Sequence, residues 1–324
     1  MKIEDLEYKF EGKEIDEKNF DINKWRSENP VDYFKALSII LSAPNEMPLM
    51  PREIVIKTAF EVIYKTYRLY IPNVLYKYYS LTDDEELNLK KIKTLENQTI
   101  YMSNIKDFND PFDGKAFYYN PSLLRKIKRL ERCKGKIIDD FTIFHRGTAL
   151  TSNDMNSMPM WAHYSNNHKG YCVAYDMNDD RNIKFKSCVF PVQYTSERLD
   201  ITSYMKIYVE MIDKIITRNQ NIGVTKHIVT DISIIYISAL LCNIKHSTWS
   251  YENEFRCTMG ASAEGMPYEN AYPKAIYIGL NCTKENEKKL ILVAKKLRIP
   301  IYKMKFDELS ELYKLEPKLI YKGK

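Results

Sequence analysis

The chain is poor in glycine, and several signatures that depend on glycine are missing. It has 10 glycines among 324 residues, which argues against collagen-like chains and against doubly wound dinucleotide-binding folds, whose phosphate turns need glycine. The phosphate-binding Gly-x-x-x-x-Gly-Lys-Ser/Thr, the dinucleotide Gly-x-Gly-x-x-Gly and the hydrolase Gly-x-Ser-x-Gly are absent, as is the zinc-protease His-Glu-x-x-His. The sequence therefore does not indicate any of these four chemistries.

The chain also lacks closely spaced cysteines and long apolar runs. No Cys-x-x-Cys occurs among its six cysteines, so we expect reduced core cysteines in a cytoplasmic protein. The most apolar stretch, residues 232–241, has about half of the ~20 residues needed to cross a bilayer and predicts a buried helix. The acidic start of the chain lacks the apolar run of a signal peptide. We therefore expect neither secretion nor a membrane partner.

Positive charge is concentrated in one segment. The chain has 49 Lys+Arg and 43 Asp+Glu, a formal net charge of +6, which is mild for a nucleic-acid-binding protein. Residues 121–138 hold seven of the bases and one acid. Apolar residues recur there with helical spacing, which predicts an amphipathic basic helix. Its basic face is either a solvated surface or a phosphate-binding surface.

Residue patterns predict an α+β fold with a mixed, largely antiparallel sheet and inserted helices. Pro30 and Pro51 each precede a helix-like run, so we expect residues 1–70 to form a helical extension of a core domain over residues 71–324. Helical periodicity returns over residues 198–246, and Thr283 is placed to cap a helix over residues 284–297. Runs rich in aromatic and β-branched residues predict strands at 74–79, 100–103, 141–144, 171–175, 249–259, 275–280 and 299–304.

Two polar segments in the first half of the chain are candidates for a site. Asn109, Asp110 and Asp113 surround Pro111 in a predicted turn, which is either structural, held by Asx side chains, or a loop that presents these groups to a ligand. In the second segment, Pro159 can begin a short helix. That segment concentrates the side chains of Trp161, His163, Tyr164 and Lys169. They are either core aromatics with flanking polar groups or the rim of a pocket.

A third segment, residues 245–256, combines aromatic and charged residues. Strand alternation would place Tyr251, Phe255 and Cys257 on one face, and Glu252, Glu254 and Arg256 on the other. The charged face is either a salt-bridged solvent surface or a site. In the second case Arg256 holds Glu254 ionised beside Trp249, ready to stabilise a developing cation.

Six short motifs resemble, in the same order, those of a bacterial and phage family called domain of unknown function 2971. The resemblance spans about residues 74–305, and Asn-Asp-Pro-Phe-Asp and Met-Trp-x-His-Tyr are its most specific parts. The motifs are at residues 75–78, 100–103, 108–113, 160–164, 168–176 and 249–256. The resemblance implies no reaction. The frequent association of its members with phage and mobile elements suggests a role in defence or conflict.

The leading hypothesis is an ADP-ribosyltransferase-like enzyme that uses NAD. Cleavage of the nicotinamide–ribose bond needs a carboxylate near the ribose and aromatic rings around the leaving group. The order of the motifs favours this chemistry, although the first strand lacks the Arg or His common in such sites. The expected roles are Glu254 as the carboxylate, Tyr164 or Trp161 on nicotinamide, His163 and Lys169 at the pyrophosphate or ribose, Tyr76 or Lys77 at the other ribose, and Asn109, Asp110, Asp113, Trp249, Glu252 and Arg256 as further pocket residues.

Two other functions remain open. The first is a nucleic-acid-processing or nucleic-acid-binding defence protein, in which Asp110, Asp113, Glu252 and Glu254 hold a divalent metal. Against a metal site, His163 and His168 are five residues apart, which does not suit ligands on one helix face, so the spacing predicts no metal. The second is a noncatalytic sensor or interaction module, with the N-terminal helices binding a partner or a second copy of the chain.

Overall fold

The structure is a computed structural model that describes residues 21–46, 49–136, 145–223, 233–260 and 267–323. The strand expected at residues 141–144 lies outside the described residues. The described α-helices are α1 (Ile22–Glu28), α2 (Tyr33–Glu46), α3 (Arg52–Arg68), α4 (Glu85–Glu96), α5 (Pro121–Leu124), α6 (Met158–Tyr164), α7 (Ile183–Ser187), α8 (Thr202–Asn221), α9 (Ser233–Leu241) and α10 (Lys284–Leu297).

Strands are interspersed with these helices along the chain. They are β1 (Val74–Tyr79), β2 (Thr99–Tyr101), β3 (Ser103–Asn104), β4 (Phe117–Tyr118), β5 (His145–Thr151), β6 (Tyr171–Asp176), β7 (Val189–Pro191), β8 (Gln193–Thr195), β9 (Leu199–Asp200), β10 (Ile244–His246), β11 (Glu254–Gly260), β12 (Tyr268–Asn270), β13 (Pro273–Ile278), β14 (Ile301–Phe306) and β15 (Leu315–Tyr321). The predicted α+β class is confirmed.

The chain divides into two compact units. Unit 1 comprises Met1–Tyr70, Asn104–His145 and Gln193–Ser247, and unit 2 comprises Ile71–Ser103, Arg146–Val192 and Thr248–Lys324. In unit 1, α2, α3 and α9 pack against one another. Tyr33 of α2 contacts Tyr67 of α3 with ring centroids 4.7 Å apart. Two short parallel strand pairs, β8 with β10 and β4 with β9, also belong to this unit.

Unit 2 is built on a mixed sheet with strand order β15-β14-β13-β6-β1-β5-β11-β7. β1 pairs antiparallel with β5 and β6, and β6 pairs antiparallel with β13. β13 and β14 run parallel, which requires a crossover, and α10 supplies it. The sheet is therefore largely antiparallel, as the residue patterns predict.

Helix α10 shows how local sequence specifies an element. Thr283 occupies the N-cap position, and its side chain accepts a hydrogen bond from the backbone N–H of Asn286. Leu290, Val293 and Ala294 recur on one face and are buried. They join α4 and the side chains of one side of the sheet, including Leu75 and Val173, in a single apolar cluster. We call this side of the sheet the α10 face.

The opposite side of the sheet is covered by α6. Met160 and Trp161 of this helix pack with Tyr78 of β1, Cys172 of β6 and Tyr277 of β13. We call this side the α6 face. Adjacent strand residues alternate between the two faces, so the parity of a residue decides which cluster it joins.

Two expected elements are wrong. Residues 121–138 do not form one basic helix: α5 ends at Leu124 and is followed by a 3-10 turn at Lys128–Leu130. Gly135 is left-handed (φ +82), and a Cβ there would lie 1.9 Å from the carbonyl oxygen of Pro121. The segment therefore folds back on α5 instead of extending it.

The strand expected over residues 249–259 begins only at Glu254. A 3-10 helix occupies Ser247–Glu252, and Asn253 is left-handed with φ 44. This break removes Tyr251 and Glu252 from the strand. The expected alternation consequently holds only from Glu254 onward.

Two further expectations concern cysteines and membranes. All six cysteines are free, and Cys172, Cys242, Cys257 and Cys282 are buried, whereas Cys133 is exposed. Among the described helices, none combines the length and the apolar character that crossing a bilayer requires.

Candidate functional site

A buried ion pair lies on the α6 face of β11. Phe255 and Cys257 belong to the apolar cluster of the α10 face, so Glu254 and Arg256 point to the opposite side. Arg256 donates from Nε to Oε1 of Glu254 at 2.7 Å and from Nη2 to Oε2 at 3.2 Å. The two side chains are 0% and 3% exposed. The pairing with Arg256 is present, and the solvent-exposed interpretation of this face is wrong.

A second glutamate is held next to this pair. Tyr164, the last residue of α6, donates its hydroxyl to Oε1 of Glu252, which is buried immediately before β11. Thr151 at the end of β5 donates its hydroxyl to the backbone carbonyl of Glu252. The side-chain amide of Asn253 donates to Asn153 at 2.8 Å. These contacts position Glu252 and Glu254 on either side of the left-handed Asn253.

Aromatic rings at the surface lie close to Tyr164, which binds Glu252. His163 is exposed on α6, and its ring centroid is 6.5 Å from that of Tyr164 and 6.1 Å from that of Tyr251. Tyr251 is 38% exposed and lies 6.3 Å from Trp249. A planar ligand ring could therefore reach aromatic surface beside Tyr164.

Trp161 is placed in the core, away from this aromatic surface. Its side chain is 0% exposed, and its Nε1 donates to the carbonyl of Met155 at 2.8 Å. Tyr78 meets its ring edge-on at 5.1 Å, and His168 stacks on it at 5.9 Å. Because both neighbours are protein rings, the indole has no exposed face for a ligand. Of the two rings expected to stack on nicotinamide, Tyr164 is the accessible one.

The segment after α6 forms an unusual turn. Asn166, Asn167 and His168 are all left-handed, with φ of 51, 52 and 65, a conformation that costs free energy for residues other than glycine. Burial lowers the pKa of His168, whose Nδ1 is buried and has no hydrogen-bond partner among the described residues. Lys169 is exposed at the end of the turn. The turn leads the chain from α6 into β6.

Tyr76 and Lys77 lie on opposite faces of β1. Tyr76 packs with the cluster of the α6 face, and burial raises its pKa. Lys77 has the parity of Leu75 on the α10 face, and its Nζ donates to the carbonyl of Ala149 at 3.1 Å. Burial lowers the pKa of Lys77 to about 8, an effect partly opposed by Glu254. The side chains of Tyr76 and Lys77 therefore lie on opposite sides of the sheet and do not form one site.

Asn109, Asp110 and Asp113 belong to unit 1 and form a tight turn. Oδ1 of Asp110 accepts from the backbone N–H of Phe112 at 2.9 Å, and the N–H of Asp113 donates to the carbonyl of Asp110 at 3.0 Å. Both carboxylates are buried, and in the described part of the chain Oδ2 of Asp110 has no hydrogen-bond partner. These contacts are those of the structural turn. Within the described ranges, no three His, Cys, Asp or Glu side chains are arranged to hold a metal ion.

Sequence reasoning missed Thr151 and Asn153. They contact Glu252 and Asn253, which follow 101 and 100 residues later in the chain. The available signal was weak, because polar residues after a strand usually indicate only a turn. Their partners become apparent only once the sheet has placed β5 beside β11.

The comparisons with known proteins agree with the resemblance based on motifs. The family model described as "Protein of unknown function (DUF2971)" matches residues 160–257, a range that includes Tyr164, Glu252, Glu254 and Arg256. No curated protein and no solved structure matches the chain. The segment from α6 to β11 is therefore similar to the DUF2971 family of proteins of unknown function.

Proposed function

We propose that unit 2 carries an ADP-ribosyltransferase-like site that cleaves NAD at the nicotinamide–ribose bond. The observation that carries this proposal is the hydrogen bond from Tyr164 to Glu252 next to the buried Glu254–Arg256 pair, all on the α6 face. Two oriented carboxylates beside exposed aromatic rings suit a ligand with a planar cationic ring attached to a sugar.

The chemistry assigns a task to each kind of side chain. When the bond between ribose C1′ and the nicotinamide nitrogen breaks, its electron pair leaves with nicotinamide and the ribose becomes oxocarbenium-like. An acceptor oxygen or nitrogen then attacks C1′ and releases its proton to solvent. A fixed carboxylate stabilises that cation without reorganising. Glu254, whose orientation Arg256 fixes, retains the role predicted from the sequence, and Glu252 is the second candidate. Tyr164 and His163 would contact the nicotinamide end, and exposed Lys169 the pyrophosphate.

The biological setting is part of the same proposal. The family resemblance supports a role in phage defence or conflict, with a protein or nucleic acid as the acceptor of the ADP-ribosyl group. The metal-dependent alternative gains no support from the described residues, since they contain no suitable group of metal ligands.

The test is NAD consumption and label transfer by the purified full chain. We expect the wild type to consume NAD. Of the variants Glu254→Gln and Glu252→Gln, the one that alters the catalytic carboxylate should lower the rate roughly 100-fold or more, because it removes the charge without changing the shape of the side chain. Tyr164→Phe should lower kcat by removing one hydrogen bond. The matched control is Glu316→Gln, an exposed glutamate in β15 of the same sheet, which should retain full activity.

Two outcomes would overturn the proposal. One is a wild-type chain that neither consumes NAD nor transfers label to protein or nucleic acid. The other is activity that survives in Glu252→Gln and Glu254→Gln alike, which would place the reaction elsewhere.

A second candidate function, an interaction module, is favoured by apolar side chains on the N-terminal helices. Ile39 of α2 is 42% exposed, Ile54 of α3 is 49% exposed, and Leu49 between these helices is 99% exposed. Water-facing isoleucines on neighbouring helices favour association with a partner. We propose a second copy of the chain as that partner.

A further inference from the structure

Unit 1 contains a small basic pocket that neither proposed function uses. It has a volume of about 240 Å³. Its walls come from the Phe112–Ala116 region, the turn after β8 and strand β10. The charged and aromatic lining residues are Phe112, Lys115, Glu197, Arg198, Lys245 and His246.

The charge of the lining favours an anion. Among the described residues of the lining, Lys115, Arg198 and Lys245 are basic, and Glu197 is the one acid. Lys245 is only 4% exposed. Lys115 and Arg198 are exposed, so an anion can reach both of them from solvent.

Arg198 is fixed in place before any ligand arrives. Its Nε donates to the carbonyl of Lys115 at 2.7 Å, and its Nη2 donates to the carbonyl of Phe117 at 2.7 Å. The guanidinium also lies over the ring of Tyr118, 5.5 Å from its centroid. A held guanidinium loses little conformational entropy on binding, and its N–H groups that do not bind these carbonyls can donate to phosphate oxygens.

The size of the pocket limits the ligand. A volume of about 240 Å³ lies below the range of roughly 300–1,000 Å³ typical of drug-sized ligands, so it suits a phosphate or diphosphate group with the remainder of the molecule outside. Phe112 lines the pocket and is 54% exposed. Its ring offers an apolar surface to the part of the ligand that extends beyond the phosphate.

We propose that this pocket binds the phosphate or diphosphate group of a small phosphorylated molecule, with Arg198, Lys115 and Lys245 as the binding cations. The site belongs to unit 1 and is independent of the NAD site proposed in unit 2. The result of testing this pocket therefore has no bearing on the proposed NAD site.

Calorimetric titration of the full chain with inorganic pyrophosphate and with AMP tests the proposal. We expect saturable binding by the wild type, and roughly tenfold weaker binding by both Arg198→Gln and Lys115→Gln, because each removes a charged hydrogen-bond donor. Lys106→Gln, an exposed lysine of unit 1 outside the pocket lining, is the matched control and should bind like the wild type. Lys115 is also exposed, so its variant stays informative even if Arg198→Gln fails to fold.

Three results would overturn the proposal. The first is no binding of either ligand at millimolar concentration, and the second is equal binding by Lys115→Gln and Lys106→Gln. The third is binding of a single-stranded oligonucleotide, lost in the same variants, without binding of pyrophosphate or AMP. That result would assign the cations to a nucleic-acid backbone instead of a small molecule.

Discussion

At the scale of single residues, the most consequential feature is a charged pair where a core would usually be apolar. Glu254 and Arg256 are almost fully buried, and the desolvation cost of such a pair offsets much of its mutual attraction. The pair therefore contributes little net free energy to the stability of the fold. Its bidentate geometry instead fixes the direction in which the carboxylate points.

Replacing one member of the pair should lower the free energy of unfolding more than replacing both. We expect Arg256→Met to lower the free energy of unfolding by about 3–5 kcal/mol, because it leaves Glu254 buried without its arginine. Adding Glu254→Leu should recover part of that loss. Urea denaturation of the full chain measures both effects. Lys274→Met, which breaks the exposed pair of Lys274 with Asp176, should cost less than about 1 kcal/mol. A double variant no more stable than Arg256→Met would contradict this account.

Lys77 should make stability depend on alkaline pH. Its pKa is lowered by burial from 10.5 to about 8 in the folded chain. Below pH 8 both states hold the proton, and between about pH 8 and 10.5 the unfolded state holds more, so the contribution of Lys77 to stability rises with pH across that window.

The measurement compares urea denaturation of the wild type and Lys77→Met from pH 7 to 10.5. The free energy of unfolding of the wild type should gain roughly 3 kcal/mol relative to the variant across this range. Taking the difference removes the contribution of tyrosines that titrate at high pH. Lys318→Met, an exposed lysine in β15, is the control. A difference that stays constant, or falls, with rising pH would contradict the lowered pKa of Lys77.

At the scale of elements, the turn between α6 and β6 depends on close approach of backbones. Gly170 ends the left-handed stretch, and a Cβ there would lie 1.8 Å from the carbonyl oxygen of Tyr79 on β1. Gly279, after β13, faces the same turn, where a Cβ would lie 2.2 Å from the carbonyl oxygen of His168. Glycines at both positions therefore let the turn fit between two strands.

Gly170→Ala should be strongly destabilising. The added methyl group meets rigid backbone instead of a side chain, so we expect a loss of at least about 2–3 kcal/mol of unfolding free energy. Gly260→Ala is the matched control, since a Cβ there has no heavy atom of the described residues within 4 Å, and it should change stability by less than about 0.5 kcal/mol. Similar stabilities for the two variants would show that the turn tolerates a side chain.

At the scale of the whole molecule, the N-terminal helices should determine the oligomeric state. If the exposed faces of α2 and α3 pair two copies of the chain, light scattering after size exclusion should show a dimer in the wild type. Ile39→Glu with Ile54→Glu should shift it to a monomer, because charged groups oppose burial. Leu292→Glu, on α10 and 67% exposed in the wild type, is the control and should leave the dimer intact. A monomeric wild type would exclude this interface.

How much of the site could be predicted differs between its parts. Tyr164, Glu252, Glu254 and Arg256 all come from segments that their composition had singled out, and the pairing of Glu254 with Arg256 follows from strand alternation over two residues. The burial of Trp161 and the position of Lys77 on the α10 face did not follow from the sequence. Whether an aromatic ring or a lysine is buried depends on the elements that pack against it. Those that pack on Trp161, β1 and β13, are far from it in the sequence, and so is β5, whose Ala149 accepts the hydrogen bond of Lys77.

The sequence by itself determined the elements whose signals act over a few residues. Thr283 caps α10 and β1 spans the predicted residues 74–79, because caps and alternation are local. The predictions of a strand from residue 249 and of one basic helix were wrong because a left-handed residue interrupts each pattern, at Asn253 and Gly135. Tertiary structure alone decided that Tyr164 meets Glu252 across 88 residues of chain. That contact exists because α6 packs on β1 and the sheet places β11 two strands away from β1. Its free energy comes from long-range packing that no local pattern encodes.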